Sequence, residues 1–138
     1  MSLEFKTPEE FCDLFGVDRR SGGTADFCAI CGITATLKYY GLPCSAYAAA
    51  LFLMRARHWS PLVLWKRMRA ALRPAIDAGR DTLAALGVVI PDTGKGEGFT
   101  VCQLAAAVSA ALAADGYAEV ERVAAEQIAN DLRQGRGK

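Results

Sequence analysis

The sequence contains a single histidine, His58, and this scarcity limits the chemistry that the chain can perform. Histidine is the side chain that most often exchanges protons at neutral pH, and it supplies many metal ligands. Cys44 is the nucleophile best placed to pair with it, but a continuous helix would hold the two residues about 21 Å apart. We therefore predict that the protein is not an enzyme and has no catalytic residue and no bound cofactor.

The sequence also lacks a long hydrophobic run. The apolar stretch from Leu42 to Met54 has 13 residues, whereas a membrane-spanning helix needs about 20. The first ten residues have neither the basic start nor the apolar segment of a signal peptide. The cysteines number five, and an odd count with free thiols is typical of a reducing compartment. These features predict a cytoplasmic protein that does not contact a membrane.

Apolar residues are abundant. They make up 52% of the 138 residues, against 22% charged residues. This composition supports one globular domain with a sizeable core. Many of the apolar residues recur with a helical period. We predict an all-α fold, in which residues 1–138 form a single compact bundle of five to six helices and residues 1–6 and 135–138 are frayed ends.

The stretch from Phe27 to Met54 is the predicted centre of the bundle. It is the longest stretch in which apolar residues predominate, although polar residues such as Thr34 and Lys38 interrupt it, and Gly41-Leu42-Pro43 divides it into two helices. Thr24 or Asp26 is the expected cap of the first helix, and Pro43 opens the second. The other helices are expected to pack around this pair.

Several other helix starts are marked by hydroxyl residues. Thr7-Pro8-Glu9-Glu10, Ser60-Pro61 and Thr100 each place a capping side chain before a helical pattern. The helix that starts at Ser60 is predicted to have an apolar face, formed by Leu62, Trp65, Met68 and Leu72. The opposite face is predicted to be basic and is formed by Lys66, Arg69 and Arg73. The last helix is expected over Tyr117 to Gln134.

Residues 88–101 interrupt the helical pattern. Val88-Val89-Ile90 precedes a glycine-rich segment, Gly94-Lys95-Gly96-Glu97-Gly98. Two interpretations stay open: a connector between helices, or a short β-hairpin that pairs Val88–Ile90 with Phe99–Val101. The glycine spacing fits neither a P-loop nor a dinucleotide-binding loop, which favours the connector.

Charge is nearly balanced overall but unevenly placed along the chain. The formal net charge is +1, yet residues 55–80 carry +6, residues 1–54 carry −2 and residues 81–138 carry −3. Aromatic residues lie among the cations, as they do on many surfaces that bind nucleic acid. An acidic protein partner could bind the same cations. The alternative without a partner is that these residues form a helix face exposed to solvent. The residues predicted to contact a partner are Arg55, Arg57, Lys66, Arg67, Arg69 and Arg73.

The cysteines give a second candidate site. Cys28 and Cys31 form a C-x-x-C, and Cys44 extends the pattern to C-x2-C-x12-C. Cys12 or His58 would complete four ligands for zinc, four thiolates would suit an iron–sulfur cluster, and the C-x-x-C alone suits thiol redox chemistry. The apolar flanks favour buried core thiols instead. We predict no metal site, and Cys12, Cys28, Cys31 and Cys44 are the candidates should one exist.

The preferred function is that of a small binding or adaptor protein that contacts a macromolecular partner, protein or nucleic acid, through its basic helix face. One alternative is a nucleic-acid-binding regulator that uses the same residues. Another is a protein whose cysteines ligate zinc or an iron–sulfur cluster or carry out thiol redox chemistry. A homo-oligomer is a further option, because the apolar content is high enough for a self-association face.

Overall fold

A computed structural model describes residues 3–57, 60–91 and 98–136, and within these ranges it contains seven helices and no strand. The helices are α1 (Pro8–Leu14), α2 (Gly22–Tyr39), α3 (Ala46–Arg57), α4 (Pro61–Ala71), α5 (Arg73–Ala85), α6 (Val101–Ala114) and α7 (Arg122–Arg136). The all-α prediction is confirmed, but the predicted count of five to six helices is wrong. The chain turns at Leu72, and Pro74 in the first turn of α5 makes α5 a helix separate from α4.

The predicted helix starts of α1, α4 and α6 are confirmed by their capping hydrogen bonds. Thr7 Oγ1 accepts from the Glu10 amide at 3.1 Å, and Ser60 Oγ accepts from the Val63 amide at 3.4 Å. At α6 the cap is reciprocal: Thr100 Oγ1 accepts from the Gln103 amide at 3.0 Å. The Thr100 amide in turn donates to Gln103 Oε1 at 2.8 Å. Each cap satisfies amides that lack an acceptor within the helix.

Helix α2 is the centre of the fold. It packs against α1, α3, α4, α6 and α7, and Phe27, Ile30 and Cys31 on it are fully buried. The prediction that the stretch from Phe27 to Met54 lies inside is confirmed for this part of α2 but not throughout, since Tyr39 and Tyr47 are exposed. The boundaries of the helix also differ from those predicted. Ser21 is the residue before the helix, and the predicted caps Thr24 and Asp26 lie within the helix and are buried.

The start of α2 is set by tertiary packing, which explains why Thr24 and Asp26 do not cap it. Gly22 and Gly23 lie where α4 passes closest, and a Cβ atom at Gly23 would lie 2.8 Å from the carbonyl carbon of Arg67. Only a residue without a side chain permits this approach, so the glycines belong to the helix although glycine has low helix propensity.

Two other predicted helix starts are also wrong. Helix α3 begins at Ala46 and not at Pro43, because Ser45 Oγ accepts from the Ala48 amide at 3.1 Å and caps the helix there. Helix α7 begins at Arg122 and not at Tyr117. The residues before α7 are held against the last turn of α2, because the Glu119 amide donates a hydrogen bond to Thr36 Oγ1 at 3.0 Å.

The hairpin alternative at residues 88–101 is not supported. Val88–Ile90 and Phe99–Thr100 form no strand, and Val101 opens α6. Val88 and Ile90 are buried whereas Val89 is 69% exposed, so this segment packs two of its three side chains against the helices. Residues 92–97 of the predicted connector lie outside the described residues.

Two observations concern the ends of the chain. Within the N-terminal stretch for which we predicted fraying, Phe5 is fully buried, and its ring lies 5.2 Å from that of Phe11, edge to face. At the other end α7 continues to Arg136.

Over the ranges that the structure describes, no helix is both long and apolar enough to cross a membrane.

The approach of α4 to α2 leads to a prediction for Gly23→Ala. The added methyl group meets backbone atoms of α4, which cannot rotate away, so we expect the free energy of unfolding to fall by about 1–3 kcal/mol. Gly32→Ala in the same helix is the matched control. Its methyl group would meet the carboxylate end of Glu119, which can swing aside, and alanine favours the helix by about 1 kcal/mol. Urea unfolding followed by tryptophan fluorescence measures both variants, and equal effects would contradict this account.

Candidate binding surface

Helix α4 buries only part of the apolar face that we predicted, because Met68 and Leu72 lie in the core but Leu62 does not. Leu64, Met68 and Leu72 are fully buried, four residues apart, whereas Leu62 is 62% exposed. The prediction that Leu62 lies on the buried face, opposite the cations, is therefore wrong. At about 100° per residue, positions 62, 66 and 69 fall on one side of a helix, and this side is the outward one.

Leu62, Lys66 and Arg69 border a surface cavity of about 420 Å³ between α3, α4 and α6. Its lining residues are Tyr47, Leu62, Trp65, Lys66, Arg69, Thr100, Val101 and Cys102. The rings of Tyr47 and Trp65 stack nearly parallel, with centroids 6.4 Å apart and planes at 12°. Val101 is buried and Cys102 is half-buried, so α6 forms the inner wall.

None of the three helices around this cavity contains aspartate or glutamate, whereas α3 contains arginine and α4 contains both lysine and arginine. Lys66 and Arg69, one turn apart on α4, are both exposed. Across the described parts of the chain, neither has a hydrogen-bond or ion-pair partner. Their charge is therefore available to a ligand, and no carboxylate on these helices opposes a negatively charged one.

The six cations predicted to contact a partner do not all lie on one face. Lys66 and Arg69 border the cavity, and Arg55 is exposed on α3. Arg67 is half-buried and lies over the first turn of α2, where its guanidinium group is close to Gly22. Arg73 belongs to α5 instead of sharing a helix with Arg69. Arg57 is the last residue of α3, and its side chain lies outside the described part, as do His58 and Trp59.

Sequence reasoning missed the lining residues on α3 and α6. Tyr47 lies in the stretch from Phe27 to Met54, which we predicted to be the centre of the bundle, yet it is 53% exposed. Its large ring between small residues is the one signal of an outward position. Thr100, Val101 and Cys102 gave no signal, because a pattern within α6 does not reveal which helices pack beside its first turn.

The structure separates the cysteines into different surroundings. Cys12 on α1 and Cys28 on α2 face each other with their Sγ atoms 3.9 Å apart. Cys31 points to α6, where its Sγ is 3.7 Å from the Ala105 carbonyl oxygen. Cys44 lies before α3 and points to the Ser45 carbonyl oxygen at 3.4 Å. No three histidine, cysteine or carboxylate side chains gather as a metal site in the ranges described, so the zinc or iron–sulfur alternative gains no support here and stays a hypothesis.

Burial and contacts make several of these thiols poor nucleophiles. The hydrogen bond with Cys12 and burial raise the pKa of the Cys28 thiol, and burial raises the pKa of the Cys31 thiol well above its ordinary value. Burial also raises the pKa of Cys102. Since the thiolate is the reactive form, the C-x-x-C in α2 lacks the lowered pKa typical of redox-active pairs.

A second cavity, of about 300 Å³, lies between α1, α2 and the segment before α7. It is lined by Glu9, Arg19, Thr24, Ala25, Cys28, Ala29 and Glu119. Arg19 is already engaged, because its Nε donates to Asp13 Oδ1 at 2.9 Å. The cation in this cavity therefore has its own carboxylate, unlike Lys66 and Arg69, and the first cavity is the stronger candidate for binding.

Comparison of the chain with protein-family models, with curated proteins and with solved structures found no match.

Because the thiols differ in burial, we predict that they react with a thiol reagent in two groups, one in the folded protein and one only after unfolding. In the folded protein we expect a disulfide reagent to modify Cys44 and Cys102, while Cys12, Cys28 and Cys31 react only on unfolding. Because the pKa of Cys102 is raised, less of it is thiolate at a given pH, and its rate should keep rising above the ordinary thiol pKa of about 8.5. Mass spectrometry of the labelled sites identifies each thiol. Fast labelling of Cys28 in the folded protein would contradict this order.

Proposed function

We propose that the protein is a non-enzymatic binding protein that engages an acidic segment of a partner protein through the surface around the first cavity. The observation that carries the proposal is the coincidence of an apolar cavity with Lys66 and Arg69 at its edge, two cations that have no ion-pair partner among the described residues. The absence of carboxylates on α3, α4 and α6 adds to it. A partner with negative charge and apolar side chains complements both properties.

Two apolar side chains of this surface are open to solvent. Tyr47 on α3 and Leu62 on α4 both line the cavity and are both exposed. Apolar area removed from water stabilises a complex by roughly 25 cal/mol per Å², whereas an exposed ion pair contributes about 0–1 kcal/mol. The apolar residues would therefore supply most of the affinity, and the cations would select an acidic partner and speed the encounter.

Two copies of this chain are a poor match for each other through this surface. A symmetric dimer brings the same patch of both subunits together, which would place two copies of Lys66 and Arg69 in one interface. Like charges opposed in this way disfavour association. A different protein with carboxylates is the better complement.

A nucleic-acid-binding regulator is the second candidate, and one observation favours it. Trp65 and Tyr47 present stacked rings beside Lys66 and Arg69, and an aromatic ring next to cations can hold an unpaired base. The formal net charge of +1 argues against it, since dedicated nucleic-acid binders are usually strongly basic. We therefore rank the acidic protein segment first.

Selection from a display library of short random peptides tests the proposed function. We expect the folded protein to enrich peptides that combine aspartate or glutamate with large apolar residues. Their affinity should fall at least tenfold in the double variant Lys66→Glu, Arg69→Glu, because attraction becomes repulsion. It should also weaken as salt is added, because the cations are exposed.

The matched control is the double variant Lys38→Glu, Arg133→Glu, which changes the net charge equally at exposed cations on α2 and α7. It should bind the selected peptides as the unaltered protein does. Equal losses in both double variants would show a response to net charge alone and count against the surface. Tighter binding of oligothymidylate than of any selected peptide would favour the nucleic-acid candidate instead.

A further inference from the structure

We infer that the cavity between α3, α4 and α6 is a binding site for a small amphiphilic anion, a carboxylate joined to an apolar body. The inference uses the same surface as the proposed function but needs no protein partner. The cavity volume of about 420 Å³ lies within the range of roughly 300–1,000 Å³ that is usual for small-molecule sites. Such a ligand would also compete with a partner segment and so regulate its binding.

The walls of the cavity suit an apolar body. Tyr47 and Trp65 form one side with their stacked rings, Leu62 lies at the opening, and the buried Val101 lies at the base. Leu62 is largely exposed to water, and a bound apolar group would cover it. Burial of apolar surface from both the ligand and the cavity wall provides the driving force.

The edge of the cavity suits a single anionic group. Lys66 and Arg69 border it from one face of α4. A guanidinium group can hold both oxygens of a carboxylate at once, and an ammonium group adds a point charge. Thr100, Val101 and Cys102 bring the first turn of α6 to the same cavity, and the positive end of its dipole has the sign that favours an anion.

Other ligand classes match fewer of these features. Inorganic phosphate would meet the cations but leave the aromatic wall and Leu62 uncovered. A neutral apolar molecule would leave the cations without a counter-charge, and a cationic amphiphile would be repelled by them. The combination of an apolar wall and cations that lack a carboxylate partner within the described ranges therefore selects an anion with an apolar body.

Direct binding of 8-anilinonaphthalene-1-sulfonate tests the inference, because this dye is itself an aromatic anion whose fluorescence rises in an apolar site. We expect saturable binding of one dye per chain. Decanoate should displace the dye, whereas decanol and decylammonium should displace it at least tenfold less well. Circular dichroism and a cooperative unfolding transition confirm that the dye reports on the folded protein.

Neighbouring residues on α4 provide a matched pair of variants. Leu62→Glu places a carboxylate at the opening of the cavity and should weaken dye binding at least tenfold. Val63→Glu makes the same change at the next residue, which is also exposed but does not line the cavity, and should leave affinity within about twofold. Both positions lie in the first turn of α4, where a negative charge favours the helix. Replacement of Lys66 and Arg69 by glutamine should also weaken dye binding at least tenfold.

The outcomes separate this inference from the proposed function. No dye binding, equal displacement by decanol, or equal effects of Leu62→Glu and Val63→Glu would overturn the inference. Selected acidic peptides that bind while the dye does not would leave the proposed function standing alone. Dye and decanoate that bind as expected, with no peptide enriched, would support the small-molecule site and count against the protein partner.

Discussion

The orientation of α4, and with it the position of the candidate binding surface, depends on the close contact between the α4 backbone and the glycine pair at the start of α2. Because Gly23 has no side chain, the carbonyl group of Arg67 can approach it directly. This contact fixes the rotation of α4 about its own axis, and Leu64 and Met68 then point into the core. Lys66 and Arg69 are left on the outward side. The position of the candidate binding surface thus follows from a glycine on another helix.

The features that could be predicted from the sequence are those that depend on a few neighbouring residues. Thr7, Ser60 and Thr100 cap the helices that follow them, because a hydroxyl group needs only the amide three residues ahead. The start of α2 could not be read in this way. Thr24 has the side chain of a cap, but its position is decided by packing against a helix some forty residues later in the chain.

The candidate site could be predicted only in part for the same reason. The excess of cations in residues 55–80 was evident from the sequence, but it did not distinguish Lys66 and Arg69, which border the cavity, from Arg67, which packs on α2. The cavity itself arises where α3, α4 and α6 meet. Tyr47, Trp65 and Cys102 come together only through the fold, and no spacing in the sequence relates them.

Arg80 on α5 connects the two sides of the segment from Pro91 to Gly98. Its guanidinium group donates to the Pro91 carbonyl oxygen at 3.3 Å and to the Gly98 carbonyl oxygen at 3.4 Å, and it lies 5.9 Å from the centroid of the Phe99 ring. The ends of the segment are thereby held independently of the residues between them. Since loop-closure entropy rises only by about 0.6 kcal/mol for each doubling of length, the chain can accommodate insertions between these two anchors while α6 keeps its place. The position between these two anchors is therefore a suitable one for a genetically encoded fluorophore or affinity tag.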